Sequence, residues 1–390
     1  MERVGIEGVN RVRFSFPIFE FPPQAEALRS EVRGFIAEEL AAGLWQPSGD
    51  FASSYSATFS QRIGARGWLG MTWPRRYGGH DRSMLERLVV TEELLAASAP
   101  VAAHWIADRQ SGPLLLRYGS EAQREEFLPQ IARGESFFSI GMSEPDSGSD
   151  LASVRSRAAK VAGGWSITGR KVWTTFAHLN HFAIVLVRTG EGGASRHAGL
   201  SQFIVDLKAA DVEVRPIVNM AGQSEFNEVV FDGTFIADAR LVGEPGNGWQ
   251  QVTSELAFER SGPERYLSSI RLVESALACA REQPTPRLRE AIGRMAAKLI
   301  ALRTMSIAVA AQLQSGVTPD FEAALIKDLG NAFEREQIAV FRALGAELPM
   351  CSDDYLSALA SSTINSPSWT LRGGTREVLR GLVARGLGLR

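Results

Sequence analysis

The stretch "FFSIGMSEPDSGSD", residues 137–150, is where this sequence changes texture. It opens with an apolar run and then turns abruptly to small hydroxyl and acidic residues around Gly148. Beyond it come "GWSITG", "HFAIVLVRT", "SQFIVDL", "VEVRPI" and "NEVVFDGTFI". Each is short, rich in β-branched and aromatic residues, and bounded by Gly, Asn, Asp or Ser. That pattern predicts strands joined by turns. The opening stretch therefore reads as a strand ending at Met142 that runs into a turn. Backbone N–H groups and hydroxyls of such a turn can face an anion or a heteroaromatic edge. Taken alone, an Asx/Ser turn with no ligand is the plainer reading of the same residues.

Upstream the period is helical. "QAEALRSEVRGFIAEELAAGL" puts Leu28, Val32, Phe35, Ile36 and Leu40 on one face. "MLERLVVTEELLAASA" behaves alike, and "WPRRYGG", residues 73–79, is a Pro/Gly loop between them. After "VGEPGNGW", residues 242–249, helical runs return to the end of the chain. In "LREAIGRMAAKLIALRTMSIAVAAQL", Ile292, Met295, Leu299 and Leu302 stay in register. The expected fold class is α+β. An N-terminal α-helical domain spans 1–136, a middle β-barrel or sheet domain 137–243, and a C-terminal helical bundle 244–390.

Composition narrows the function. The 390 residues are 45% hydrophobic and 22% charged, with a net charge of −2. Nothing there favours nucleic acid or an anionic membrane. Cys279 and Cys351 have no CxxC spacing, so no metal or disulfide framework is expected. No apolar run approaches the ~18 residues of a spanning helix, and "MERVGIEGVNRVRFSF" lacks a signal-peptide core. A soluble, cytoplasmic protein is the expectation.

A second stretch, "GRKVWTTFAHLNHFAIVLVR", residues 169–188, sets Trp173 and Thr175 on one face of a strand-like segment. A Trp beside a hydroxyl can flank a planar cofactor. Taken alone, a core Trp with a surface Thr is the plainer reading of the pair. His178 and His181 have no carboxylate or Cys partners at ligand spacing, so they read as polar loop residues.

Together these motifs resemble the acyl-CoA dehydrogenase family. "YGSEAQREEFLPQIARGE", residues 118–135, resembles its Gly-x-x-x-Gln…Leu-Pro helix. "SEPDSGSD" resembles its T-E-P-x-x-G-S-D loop, and "GRKVWTT" its G-x-K-x-W-I-T strand. "GGTREVLRGLVARGLGL" resembles its C-terminal ending. The resemblance covers nearly the whole chain, with the motifs in the family's order.

That resemblance implies FAD and oxidation of an acyl-CoA thioester to the trans-2-enoyl-CoA, with flavin N5 accepting hydride. By motif, Met142 and Ser143 are expected against the isoalloxazine ring, and Gly148 and Ser149 at flavin or substrate phosphates. Trp173 is expected over the ring and Thr175 near N5 and O4. Thr375 and Glu377 fall where the family touches FAD near its C-terminus. Ser143 replaces a commoner threonine, and Glu377 the usual glutamine.

The reaction needs a carboxylate base for a weakly acidic α C–H and fixed donors for the thioester carbonyl. In many relatives the base is a glutamate directly before Gly-Thr. Here "WTLRGGTREVLR", residues 369–380, puts Gly373 at that place. A second branch of the family carries its base in an E-R pair on an earlier helix, and "TSELAFERSGPER" supplies Glu259-Arg260. Glu259 is the expected base, ahead of Glu264 and Glu255. Glu264 lies past Gly262-Pro263, expected to bend the helix. Gly373 retains a backbone N–H for the thioester oxygen. Arg260 is a substrate-pocket or structural partner.

The resemblance also implies an electron-transferring flavoprotein as redox partner and a homodimer or homotetramer. The family's R-x-x-F-G segment is replaced by "ACAREQPTPRLREAIGRM", in which Arg281 has no following Phe-Gly. "FRALGAELP", residues 341–349, resembles the Q-x-x-G-G segment only faintly. A heteromer therefore stays open, as do a same-fold flavin oxidase, monooxygenase or desulfinase, and a non-catalytic subunit.

Overall fold

The computed structural model describes residues 16–18, 20–190, 195–282, 284–317, 319–345 and 352–389, apart from the side chains of residues 255–259. The expected order of helices, sheet and helices is observed. By packing, the chain divides into two compact units. One is Glu26–Glu259, and the other is Arg260–Arg390 with the residues up to Ala25.

The first unit begins with helices α1 (Pro23–Ala41), α2 (Ala57–Ala65), α3 (Met84–Ala96), α4 (Ala102–Ile106), α5 (Gly112–Tyr118) and α6 (Glu121–Ala132). Leu28, Val32, Phe35 and Ile36 of α1 are buried, as the apolar stripe requires. Helices α3 and α6 start with full capping boxes, Ser83 with Glu86 and Ser120 with Gln123. The Pro/Gly loop folds into a short 3-10 turn, Arg75–Tyr77, closed by left-handed Gly78.

The sheet comprises β1 (Phe138–Gly141), β2 (Arg157–Val161), β3 (Gly164–Lys171), β4 (Phe182–Arg188), β5 (Leu200–Asp206), β6 (Val212–Ile217), β7 (Phe226–Ala237) and β8 (Leu241–Val242). Its order is β6-β7-β3-β2-β4-β5-β8, with β1 parallel to β4. Strands β2 and β8 are not marked in the sequence by a clean apolar alternation. Side-chain alternation gives the sheet two apolar faces. Ile184 and Ile204 join Phe127, Leu128 and Phe138 in one core. Val185, Val187, Phe203, Val205 and Phe231 form the other. Each fully buried Phe or Ile contributes about 1.5–3 kcal/mol relative to exposure.

Helix α7 (Gly248–Arg260) ends at the boundary between the units. The expected bend at Gly262-Pro263 is instead a termination. Proline has no N–H to continue the helix, and Pro263–Arg265 forms a separate 3-10 turn. The second unit packs α8 (Ile270–Glu282), α9 (Pro286–Gln314), α10 (Asp320–Gly345), α11 (Asp353–Leu371) and α12 (Arg376–Gly386). Helix α10 lies against α9, α11 and α12, and α8 against α9 and α11. One expectation is corrected here. Helix α9 does hold an 18-residue window apolar enough by length and composition to cross a membrane, at mean hydropathy 1.3. A third of that window is buried.

Candidate functional site

The first group of expected site residues sits on a crest in the Glu26–Glu259 unit, formed by the turns that follow β1 and β3. The Met142–Ser143 segment leaves β1 and is held from behind. Lys171, 0% exposed, donates from Nζ to Met142 O at 3.1 Å and to Glu144 Oε1 at 2.8 Å. Val172 N donates to Ser143 O at 2.9 Å. The Glu144 carboxylate also accepts Arg155 N at 2.6 Å and Ser156 N at 2.9 Å. Glu144 and Ser147 then exchange backbone hydrogen bonds and close the turn.

Burial pushes the Lys171 ammonium down to about 8, against the pull of Glu144. Burial works to raise the Glu144 carboxyl. The Lys171 charge and the hydrogen bonds outweigh it and hold Glu144 below the usual carboxylate range. The two form a charged buried pair at neutral pH. Gly148 and Ser149 project from the same turn into solvent, with open space where a Cβ on Gly148 would lie.

The second turn differs from expectation. Strand β3 stops at Lys171, and Trp173 and Phe176 have left-handed φ of 60° and 51°. Trp173 and Thr175 are therefore not alternating strand positions. Positive φ is costly for bulky residues and persists only where surroundings enforce it. Here the enforcement is visible. Thr174 exchanges backbone bonds with Asn227 at 3.0 and 3.1 Å, and Phe176 N donates to Glu225 O at 2.7 Å. Asn227 Nδ2 adds a second donor to Thr174 O at 2.9 Å. Ser139 Oγ donates to Thr175 O at 2.7 Å, and Asn180 Nδ2 supports that hydroxyl at 3.0 Å. The result leaves Trp173 57% exposed, edge-on to Phe226 at 6.0 Å.

Ser143 and Thr175, both half-exposed, lie on these two turns, the second of which also carries exposed Trp173. Such a set suits a planar ligand carrying hydrogen-bond acceptors on one edge, so the residues present fit a flavin. His178 bonds Asn227 Oδ1 at 2.9 Å, and His181 Nδ1 accepts Phe137 N at 3.1 Å. No metal-binding cluster occurs among the described residues.

The second group lies in the Arg260–Arg390 unit. Gly373 and Gly374 have φ of 71° and 103°, which accounts for the glycine pair. Buried Arg260 donates from Nε to Gly373 O at 3.0 Å. Lys327, also buried, donates to Trp369 O at 3.2 Å near the end of α11. Arg372 Nη2 reaches Glu264 O at 3.1 Å and Ser268 Oγ at 2.5 Å. Ser268 N in turn donates to Glu334 Oε1 at 2.9 Å. Burial pushes Glu334 up to about 7, against Arg372 and the Ser268 hydrogen bond.

Thr375 is the N-cap of α12, accepting Val378 N at 3.5 Å. Exposed Glu377 sits in the first turn of that helix. Its own backbone N–H, then the Thr375 hydroxyl, hold it below the usual carboxylate range. Glu264 is buried in the 3-10 turn next to Arg265. Arg281 is exposed in the last turn of α8. The side chains of Glu255 and Glu259 lie outside the described residues, as do Cys351 and residues 346–349 of "FRALGAELP".

Sequence reading passed over Lys171, Ser139 and Asn227. A signal existed for Lys171. Trp165, Ile167 and Lys171 share parity along β3, and the first two are core residues. Period-two alternation therefore puts the lysine inward. Ser139 and Asn227 gave no comparable signal, because their role depends on turns distant in sequence.

The family model "Acyl-CoA dehydrogenase, N-terminal domain" matches residues 22–135, and "Acyl-CoA dehydrogenase, middle domain" matches 139–234. The chain is 38% identical over 298 residues to "Acyl-CoA dehydrogenase IpdE1" of Mycobacterium tuberculosis, covering 73% of this chain and 76% of that protein. Two solved structures are similar across 95% of this chain, each at 28% identity. "Tcur3481-Tcur3483 steroid ACAD" has a TM-score of 0.83 with 98% of its chain covered. The ChsE4-ChsE5 complex from Mycobacterium tuberculosis has 0.81 with 99% covered. This chain belongs to the acyl-CoA dehydrogenase family.

Proposed function

We propose that this chain, with FAD bound, oxidises an acyl-CoA thioester to the trans-2-enoyl-CoA, using Glu259 as the α-proton base. The observation that carries the reading is the crest, where a strained, exposed Trp173 stands on one of two tethered turns that carry half-exposed Ser143 and Thr175. The flavin supplies the two-electron acceptor for the Cβ hydride. Met142, Ser143, Trp173 and Thr175 hold its ring. Gly148 and Ser149, on the solvent-facing turn, meet phosphate or substrate groups, and Thr375 and Glu377 serve the cofactor's other contacts.

Glu259 takes the α proton, and the Gly373 N–H donates to the thioester oxygen. Arg260 holds the carbonyl of the following peptide, Gly373 O, and so restrains the turn in which that N–H lies. A glycine at 373 leaves side-chain space for a bulky acyl group. The likeness to the Tcur3481-Tcur3483 steroid ACAD supports a large polycyclic acyl-CoA as substrate. The two-component ChsE4-ChsE5 complex supports a heteromer as the working assembly, with a homodimer or homotetramer as the other outcome. We place the enzyme in the cytoplasm, in a β-oxidation-type sequence, delivering electrons to an electron-transferring flavoprotein.

A panel of acyl-CoA thioesters scored by flavin bleaching tests the substrate class. Glu259→Gln is expected to keep FAD and lose flavin reduction by about 10²–10⁴-fold, as when a general base is removed. Undiminished bleaching in that variant sinks the base assignment.

A further inference from the structure

The crest has an asymmetry that helix and strand formation do not require. Its main-chain carbonyls are drawn inward one after another. Met142 O receives Lys171 Nζ, and Ser143 O receives Val172 N. Thr174 O receives both the backbone N and the Nδ2 of Asn227. Thr175 O receives Ser139 Oγ. Three of these donors are side chains of buried residues, Lys171, Asn227 and Ser139, and they come from three different strands or strand ends. Ser143 and Thr175 are themselves half-exposed.

We propose that Ser139, Asn227 and Lys171 are positioning residues that withdraw backbone carbonyls from the crest, so that a bound flavin meets hydrogen-bond donors there and its reduction potential is raised. The proposal rests on the flavin reading above. The physical reason is electrostatic. Reduction adds electron density to the pyrimidine edge of the isoalloxazine ring, which is already rich in acceptors. A carbonyl oxygen turned toward that edge repels the added charge, whereas a donor stabilises it, more strongly in a partly desolvated site than in water. The Glu144–Lys171 pair completes the device. Glu144 balances the buried ammonium, so that the lysine acts as a fixed donor and adds no net charge behind the ring.

Ser139→Ala is the sharpest variant, because the Ser139 hydroxyl is the side chain holding Thr175 O. The measurements are the FAD dissociation constant, the midpoint potential against a reference dye, and the thermal midpoint. The expected result is bound FAD with a potential lowered by about 30 mV, a tenfold shift of the two-electron equilibrium toward the oxidised form. Asn227→Ala, which leaves the backbone donor to Thr174 O in place, is expected to shift it in the same direction by a smaller amount.

A lowered thermal midpoint with an unchanged potential in both variants overturns the proposal and leaves these residues a folding role. If Ser139→Ala does not fold, the Glu144→Gln/Lys171→Met double variant releases Met142 O without stranding a charge, and the same two results decide. A wild-type chain that stays colourless and cannot be reconstituted with FAD sinks the flavin reading itself. FAD binding with unshifted potentials sinks only this inference.

Discussion

At the crest, the main chain of Met142–Ser143 and Trp173–Phe176 is fixed by hydrogen bonds from strands that were already in place. Its one buried ion pair, Glu144–Lys171, is satisfied on both sides. At the Gly373–Gly374 turn the main chain is fixed by long cationic side chains, Arg260, Lys327 and Arg372, reaching across helices. The nearby carboxylate, Glu334, is buried and pushed up to about 7. Sheets offer a dense grid of donors close to any turn that leaves them. A helix bundle has used its backbone donors internally, so a special turn there must borrow charge from side chains. The sheet-borne site therefore depends on short contacts and one satisfied ion pair, and the bundle-borne turn on cationic side chains around a carboxyl held up to about 7.

The largest effect should come from breaking the crest's ion pair. Lys171→Met alone leaves Glu144 buried without its counter-ion. It is expected to cost about 3–5 kcal/mol in chemical denaturation, with much of that recovered in Glu144→Gln/Lys171→Met. Equal losses in the single and double variants would show that packing, not charge, dominates there.

Next is the pH dependence at the bundle. A carboxyl raised to about 7 in the folded state binds more protons than the unfolded chain between its ordinary range and pH 7. Stability from this group is therefore fully present below the ordinary carboxylate range. It falls as pH rises to about 7 and is level above that. The loss is about 3 kcal/mol at most. Glu334→Gln should flatten the slope in that window, and an unchanged pH–stability profile would remove Glu334 from the charge balance.

Gly374→Ala comes third. At φ 103°, with Arg260 Nη2 at 3.4 Å from the added Cβ, it is expected to cost about 2 kcal/mol. A neutral result would mean the turn relaxes freely, and that the bundle does not hold its turn as the crest does. Thr375→Ala is the smallest change. Its hydrogen bond to Val378 N is long at 3.5 Å, and the expected loss is about 0.5 kcal/mol, read as a slightly lowered thermal midpoint.

Much of this is legible in the sequence. The texture change at Phe137 located the sheet, and the motif order pointed to the family. The paired glycines at 373 and 374 announced a conformation other residues avoid. What misled was local extrapolation. "KVWTT" continues β3 in sequence, yet Trp173 turns left-handed because Asn227, Glu225 and Ser139 capture the neighbouring backbone. "SGPER" looks like a bent helix, yet Pro263 ends it and Glu264 becomes a buried residue.

By itself the sequence determined the alternation of helix and strand, the two turns rich in hydroxyl residues, and the need for glycine at 373 and 374. Periodicity and φ preference are local properties, and local properties are written along the chain. Tertiary structure decided which carbonyls of the crest are withdrawn, that Lys171 is fully buried against Glu144, and that Glu334 is held up to about 7 in the bundle. Each of these depends on desolvation and on partners tens of residues away, and only the folded chain brings those together.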